Sequence, residues 1–125
     1  VYMRQLVGRP TVQINLGRAI AHCASARAAV IEASAEVDRR IEAGIAPDEA
    51  DYFRQQAIVT MAVDQLASAI DLLTTTLGGN GLREGSPFER QVSDFRAMPL
   101  HINVHQDSIS HQIGRLALGV ELDPF

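Results

Sequence analysis

Residues 10–44 read PTVQINLGRAIAHCASARAAVIEASAEVDRRIEAG, and this stretch decides the fold. Its apolar positions recur at alternating steps of four and three residues, which places them on one seam of a helix packed lengthwise against another helix. These positions are Val12, Leu16, Ala19, Cys23, Ala26, Val30, Ala33 and Val37. Pro10 suits the first turn of a helix and Gly44 suits the residue beyond its end, so we expect one helix of about 30 residues, about 45 Å long.

A second helix is predicted to begin at Pro47, because Asp48 and Glu49 then lie in a first turn, where the helix dipole favours acidic side chains. Gly78 and Gly79 are expected to end it. Its apolar stripe consists of Val59, Ala62, Leu66, Ile70, Leu73 and Leu77.

Two shorter helices complete the pattern. The third opens with Ser86-Pro87-Phe88-Glu89, a capping box in which the serine and glutamate side chains satisfy free backbone amides. Pro99 should break it near Met98. The last helix is expected from about Asn103 to Leu118.

Long helices joined by short connections predict an all-α, up-down helical bundle. The bundle is incomplete, so a further helix from residues before Val1, of which Val1 to Val7 would be the tail, or from another copy should cover the apolar seams. We therefore expect a larger parent protein or an oligomer, and no stable monomer.

The composition excludes several classes of protein. The chain has 125 residues, of which 46% are apolar and 21% charged, and its formal charge is −4, which gives no footprint for nucleic acid. No uninterrupted run of about 18 apolar residues indicates a membrane span. The lone Cys23 lies on the seam and is expected to be a buried small hydrophobe in a reducing cytoplasm.

Few residues suggest chemistry on their own. His101 and His105 are four apart, as are Asp107 and His111, but neither pair completes a metal shell. The glycines of 78–81 are typical of a helix end and turn, or alternatively of backbone that a ligand approaches closely. His101 follows Pro99 at a break between helices, which makes it a candidate catalytic residue.

The stretch from Leu77 to Arg96 resembles a motif of the acyl-CoA dehydrogenase superfamily. The matching positions are Gly78, Gly79, Gly81, Pro87, Glu89, Arg90 and Asp94. The resemblance is strong over about 75–120, whereas 10–74 match in helical pattern only. It implies that 1–125 form the C-terminal helical bundle domain of a larger flavoenzyme, which is a homo-oligomer (dimer or tetramer) with FMN or FAD between domains and across a subunit interface.

The same resemblance distinguishes two reactions. Many acyl-CoA dehydrogenases carry a Glu-Gly-Thr triplet whose glutamate is the base, and in register Ile102 stands at that glutamate. The tail with Arg96, Leu100-His101, His111 and Ile113-Gly114 is similar to flavin-dependent monooxygenases of the dibenzothiophene type and to two-component hydroxylases, which take reduced flavin from a separate reductase and insert one oxygen atom.

The resemblance to this monooxygenase branch implies His101 as the catalytic residue. It implies Thr75, Gly78, Gly79, Gly81 and Arg96 as cofactor-binding residues, with Thr75 standing where many members have a glutamine. The alternatives are a true acyl-CoA dehydrogenase domain whose base lies outside this chain, and a non-catalytic helical oligomerisation module. The isolated chain is expected to be inactive and to bind flavin weakly at most.

Overall fold

The computed structural model describes residues 2–81, 85–101 and 105–123. All regular structure within these ranges is helical, which confirms the predicted all-α class. The elements are α1 (Tyr2–Val7), α2 (Pro10–Glu42), α3 (Glu49–Gly81), α4 (Pro87–Arg96), a 3₁₀ turn (Met98–Leu100) and α5 (Gln106–Ala117).

The end of α2 agrees with the sequence. Ala43 closes the helix, and Gly44 follows with a φ of 70°, a left-handed conformation that favours glycine. The N–H groups of Gly44 and Ile45 donate to the carbonyl oxygens of Ile41 and Arg40 at 3.0 and 2.9 Å. This Schellman arrangement satisfies carbonyls that the helix end would otherwise leave free.

The start of α3 lies two residues later than Pro47. The Asp48 carboxylate accepts a hydrogen bond from the Asp51 N–H at 2.8 Å, and the Asp51 carboxylate accepts one from the Asp48 N–H at 3.1 Å. This reciprocal cap makes Asp48 the boundary residue, so the helix begins at Glu49. The guanidinium of Arg40 donates to the same Asp51 carboxylate at 2.7 Å and joins the end of α2 to the start of α3.

Helix α3 is the centre of the bundle, because α2 and α5 pack along it and α4 and the 3₁₀ turn also contact it. The pairs Arg40–Asp51 and Glu36–Arg54 show that α2 and α3 are antiparallel. Gln106, at the start of α5, reaches Met61 in the middle of α3, and residues 121–123 after α5 line a cavity with the start of α3, so α5 runs back toward that start. The buried apolar residues are Leu6, Ala19, Ala26, Ala33, Phe53, Ala62, Val63, Ala69, Val92 and Ile109.

Half of the seam predicted for α2 is wrong. Ala19, Ala26 and Ala33, which are seven residues apart, are buried, but Leu16, Val30 and Val37 are exposed, and so is Cys23, which was predicted to be buried. Asn15, His22 and Glu36, one residue before the exposed Leu16, Cys23 and Val37, are half-buried instead. Because one residue turns a helix by about 100°, the small alanines pack on α3 while the larger apolar side chains form a second, neighbouring stripe.

The short helices begin and end close to the predicted places. The Ser86 hydroxyl accepts a hydrogen bond from the Glu89 N–H at 3.0 Å and caps α4, which ends at Arg96 before the turn that contains Pro99. Helix α5 begins at Gln106, later than predicted, and Asn103 lies outside the described residues. The first residues form a separate short helix, α1, rather than a continuation of α2.

Residues 49–78 of α3 are long and apolar enough to cross a membrane, judged by length and composition alone. The core helix of a soluble bundle passes the same test. Here α3 is contacted by α2, α4 and α5, and Asp64 and Asp71 interrupt its exposed surface. These contacts bury 22% of the most apolar 18-residue window of α3.

Candidate functional site

The C-terminal end of α3 carries four of the six predicted site residues. Gly78 interrupts the helical backbone with φ 61° and ψ −155°, and a Cβ added there would meet no atom within 4 Å. Gly79 and Gly81 follow within the last residues assigned to α3. The glycine end of α3 (78–81) therefore presents bare backbone at Gly78, as close approach by a ligand requires.

Thr75 lies three residues before this break and is exposed. Its hydroxyl donates to the carbonyl oxygen of Asp71, one turn earlier, at 2.9 Å. The single donor of the side chain is thus used inside the helix, and only the oxygen lone pairs face outward. A ligand group that hydrogen-bonds to the Thr75 hydroxyl in this conformation must itself be the donor.

Arg96 and His101 lie at the other end of α4. Arg96 is the last residue of α4, and His101 closes the 3₁₀ turn by donating its backbone N–H to the Met98 carbonyl at 3.0 Å. Both side chains are exposed. Helix α4, which has ten residues and is about 15 Å long, lies along the chain between the glycine end of α3 and the segment that carries Arg96 and His101.

The structure thus places all six residues on elements that contact one another, because the 3₁₀ turn and α4 each contact α3. These residues fall into two groups. Thr75 and the bare backbone of Gly78 lie near the C-terminal end of α3, whereas Arg96 and His101 lie at and just beyond the C-terminal end of α4. Ile102, on which the choice between reactions depends, lies outside the described residues, as does 82–84.

A large cavity lies at the opposite end of α3, and sequence reasoning missed it. We call it the acidic groove; it has a volume of about 1120 Å³ and opens between the end of α2, the start of α3 and the segment after α5. Tyr52 and Phe53 meet edge to face there, with ring centroids 5.1 Å apart. The lining residues are Val37, Arg40, Ile41, Ile45, Pro47, Asp48, Glu49, Asp51, Tyr52, Phe53, Gln55, Glu121, Leu122 and Asp123.

One wall of the acidic groove is fixed by Gln112. This buried amide donates to the Asp123 carbonyl at 2.8 Å and accepts from the Asp123 N–H at 3.1 Å. The Asp123 carboxylate also lies 3.4 Å from His111 and 3.5 Å from Arg115. The residues after α5 are therefore held against the bundle.

His105 lies at the start of α5. His105 is the N-cap residue of α5, and its Nδ1 lies 3.4 Å from the Ser108 hydroxyl. Within the described ranges, no three His, Cys, Asp or Glu side chains are grouped so that they could hold a metal ion.

Comparison with known proteins identifies the bundle. The family model described as "Acyl-CoA dehydrogenase, C-terminal domain" matches residues 2–106. The match begins far before 75, where the resemblance recognised in the sequence became strong, and it includes the whole α2–α3 hairpin.

A curated relative points the same way. Over 120 residues the chain is 28% identical to a protein named "Pigment production hydroxylase" from Rhodococcus sp. (strain ATCC 21145). The aligned region is 94% of this chain but 30% of that relative, so the chain spans about a third of the relative's length. No solved structure matches the chain significantly.

Proposed function

Because the chain belongs to the acyl-CoA dehydrogenase C-terminal domain family, we propose that it is the C-terminal bundle of a flavin-dependent monooxygenase. In this proposal it supplies one wall of the flavin and substrate site and part of a homo-oligomer interface, and the parent enzyme works in the cytoplasm. The single observation that carries the choice of reaction is Ile102, which stands where a dehydrogenase of this family has its glutamate base. The hydroxylase named above supports the same choice.

The described residues fit a flavin in their chemistry. Bare backbone at Gly78 leaves room for a flat or phosphorylated group, and no side chain stands within 4 Å of its missing Cβ. Arg96 offers an exposed cation for a phosphate or for a negatively charged ring. Gly79, Gly81 and Thr75 complete the surface on which FMN or FAD would lie.

His101 is the residue that we assign to proton transfer. In this role the exposed imidazole, at the end of the 3₁₀ turn, would take a proton from a substrate hydroxyl or give one to the reacting oxygen. A bound, reduced flavin would supply the electrons for oxygen activation. The reductant reaches such an enzyme from a separate flavin reductase, which we propose as a transient partner.

Rapid mixing of the full-length protein tests the proposed reaction. Reduced flavin bound to the protein should be reoxidised by oxygenated buffer, and acyl-CoA added without oxygen should leave oxidised flavin unreduced. His101→Ala should slow the proton-dependent phase by about 10²–10⁴-fold, the range for loss of a general acid or base. His111→Ala is the matched control, because His111 is also exposed but lies on α5 beside Asp123.

Two results would contradict the proposal. Reduction of the flavin by acyl-CoA without oxygen would show that the protein is an acyl-CoA dehydrogenase whose catalytic base does not stand at the position of Ile102. Failure of the full-length protein to bind added oxidised or reduced flavin would support the oligomerisation module instead.

A further inference from the structure

The acidic groove is mostly apolar but carries a surplus of negative charge. Five carboxylate side chains and one guanidinium line it, together with large aliphatic and aromatic side chains. Sites for small molecules are concave and mostly apolar with a few polar groups, and a volume of about 1120 Å³ admits a ligand of ordinary drug size. We propose that the acidic groove binds a small organic cation with an aromatic or aliphatic body, such as an arylalkylammonium ion.

The walls of the acidic groove are fixed before a ligand enters. The Arg40 guanidinium donates to the Asp51 carboxylate at 2.7 Å, which holds the end of α2 against the start of α3. On the other side, the buried Gln112 amide makes two hydrogen bonds to the backbone of Asp123. A ligand that enters this preformed groove does not have to order its walls, a cost that would otherwise weaken binding.

The acidic residues of the groove differ in how their charge is balanced. Asp51 is paired with Arg40, and the Asp123 carboxylate lies 3.5 Å from an arginine of α5. Glu49 and Glu121 are exposed and form no ion pair with any other residue that the structure describes. A cation in the groove therefore meets two carboxylates that are not already neutralised, whereas an anion there is repelled.

The apolar walls suit the body of such a ligand. Tyr52 is 47% exposed, and its ring meets the buried ring of Phe53 edge to face. An ammonium group near the face of an exposed aromatic ring is attracted by the quadrupole of the ring. Ile41 and Ile45 are exposed by 67% and 50% and offer aliphatic surface to the rest of the ligand.

A charge series on one molecular frame tests the class of ligand. Isothermal titration calorimetry of the full-length protein compares phenylpropylammonium with the neutral phenylpropanol and the anionic phenylpropanoate, which share the same aromatic body. The ammonium ion should bind about tenfold more tightly than the alcohol, as expected for ion pairs with two exposed carboxylates. This advantage should shrink at high salt, and phenylpropanoate should show no saturable binding.

Matched variants locate the site. Glu49→Gln combined with Glu121→Gln should lower the affinity for the ammonium ion to that for the alcohol, and should leave the affinity for the alcohol unchanged. Asp64→Asn combined with Asp107→Asn is the control, because it removes two exposed carboxylates that do not line the groove. Tyr52→Leu should weaken binding of the ammonium ion by about two- to thirtyfold. Circular dichroism confirms that each variant is folded.

Three results would overturn the proposal: no saturable binding of the ammonium ion, equal affinities for the ammonium ion and the alcohol, or equal losses in the control pair and in the Glu49 and Glu121 pair. Binding to the 125-residue chain but not to the full-length protein would also overturn it, because another part of the protein then fills the groove. No flavin enters these measurements, so this proposal and the flavin chemistry fail independently.

Discussion

Replacement of Gln112 by alanine should destabilise the protein measurably. The Gln112 side chain is buried and makes two hydrogen bonds to the backbone of Asp123, at 2.8 and 3.1 Å. Each such bond contributes about 0.5–1.5 kcal/mol net, so the loss should be about 2 kcal/mol. With an unfolding entropy of about 2.1 cal/mol/K per residue over 125 residues, this lowers Tm by roughly 8 °C.

Urea unfolding at fixed protein concentration measures this loss, and amide hydrogen exchange at Asp123 should accelerate in parallel. Gln106→Ala is the control, because Gln106 is exposed on the same helix and contacts only the Met61 sulfur among its described hydrogen-bond partners. If Gln112→Ala costs no more than Gln106→Ala, Gln112 does not hold the wall of the acidic groove as we argue.

Two further predictions concern helix ends. Gly44→Ala should lower the free energy of unfolding by about 1–2 kcal/mol, because φ is 70° at this residue. Gly17→Ala, inside α2 with open space around it, should raise it by up to about 1 kcal/mol. Urea titrations of both variants measure these changes, and changes of the same sign would refute the prediction. The hydrogen bond from the Asp48 N–H, and to a smaller extent the charge of Arg40, lower the pKa of Asp51 from its ordinary value of 3.8. The contribution of Asp51 to folding stability is therefore complete above pH 3.8 and is lost as the pH falls through the lower folded-state pKa. Asp51→Asn should flatten the acid limb of the unfolding free energy measured against pH, and an unchanged limb would contradict this.

Helix ends could be predicted from the sequence where residues within one turn determine them. Gly44, Ser86 and Pro99 determine backbone conformation within one turn, so the ends of α2 and α4 could be read from them. The stop at Gly78 has the same origin, since its positive φ suits glycine. The two-residue error at Pro47 arose because the mutual capping of Asp48 and Asp51 is a side-chain geometry that a proline signal obscures.

Packing and the site could be predicted only in part. The periodicity of the sequence indicates that α2 has apolar residues on one side. It does not indicate which of two neighbouring stripes packs against α3, and in the structure the small alanines Ala19, Ala26 and Ala33 are the buried ones. The acidic groove was invisible because Tyr52, Ile41 and Leu122 meet only in three dimensions. Thr75, Gly78, Gly79, Gly81, Arg96 and His101 came from a motif, and whether flavin contacts them remains a prediction.

Flavin binding by the full-length protein tests the central claim most directly. Gly78 and Gly119 both have positive φ, 61° and 67°, with open space at the Cβ position, but the ψ of −155° at Gly78 is nearly exclusive to glycine, so circular dichroism must first show that each alanine variant is folded. The account predicts that Gly78→Ala weakens flavin binding at least about tenfold in a fluorescence titration, while Gly119→Ala, beyond the end of α5, leaves it unchanged. Equal affinity of the two variants would contradict a flavin site at the glycine end of α3.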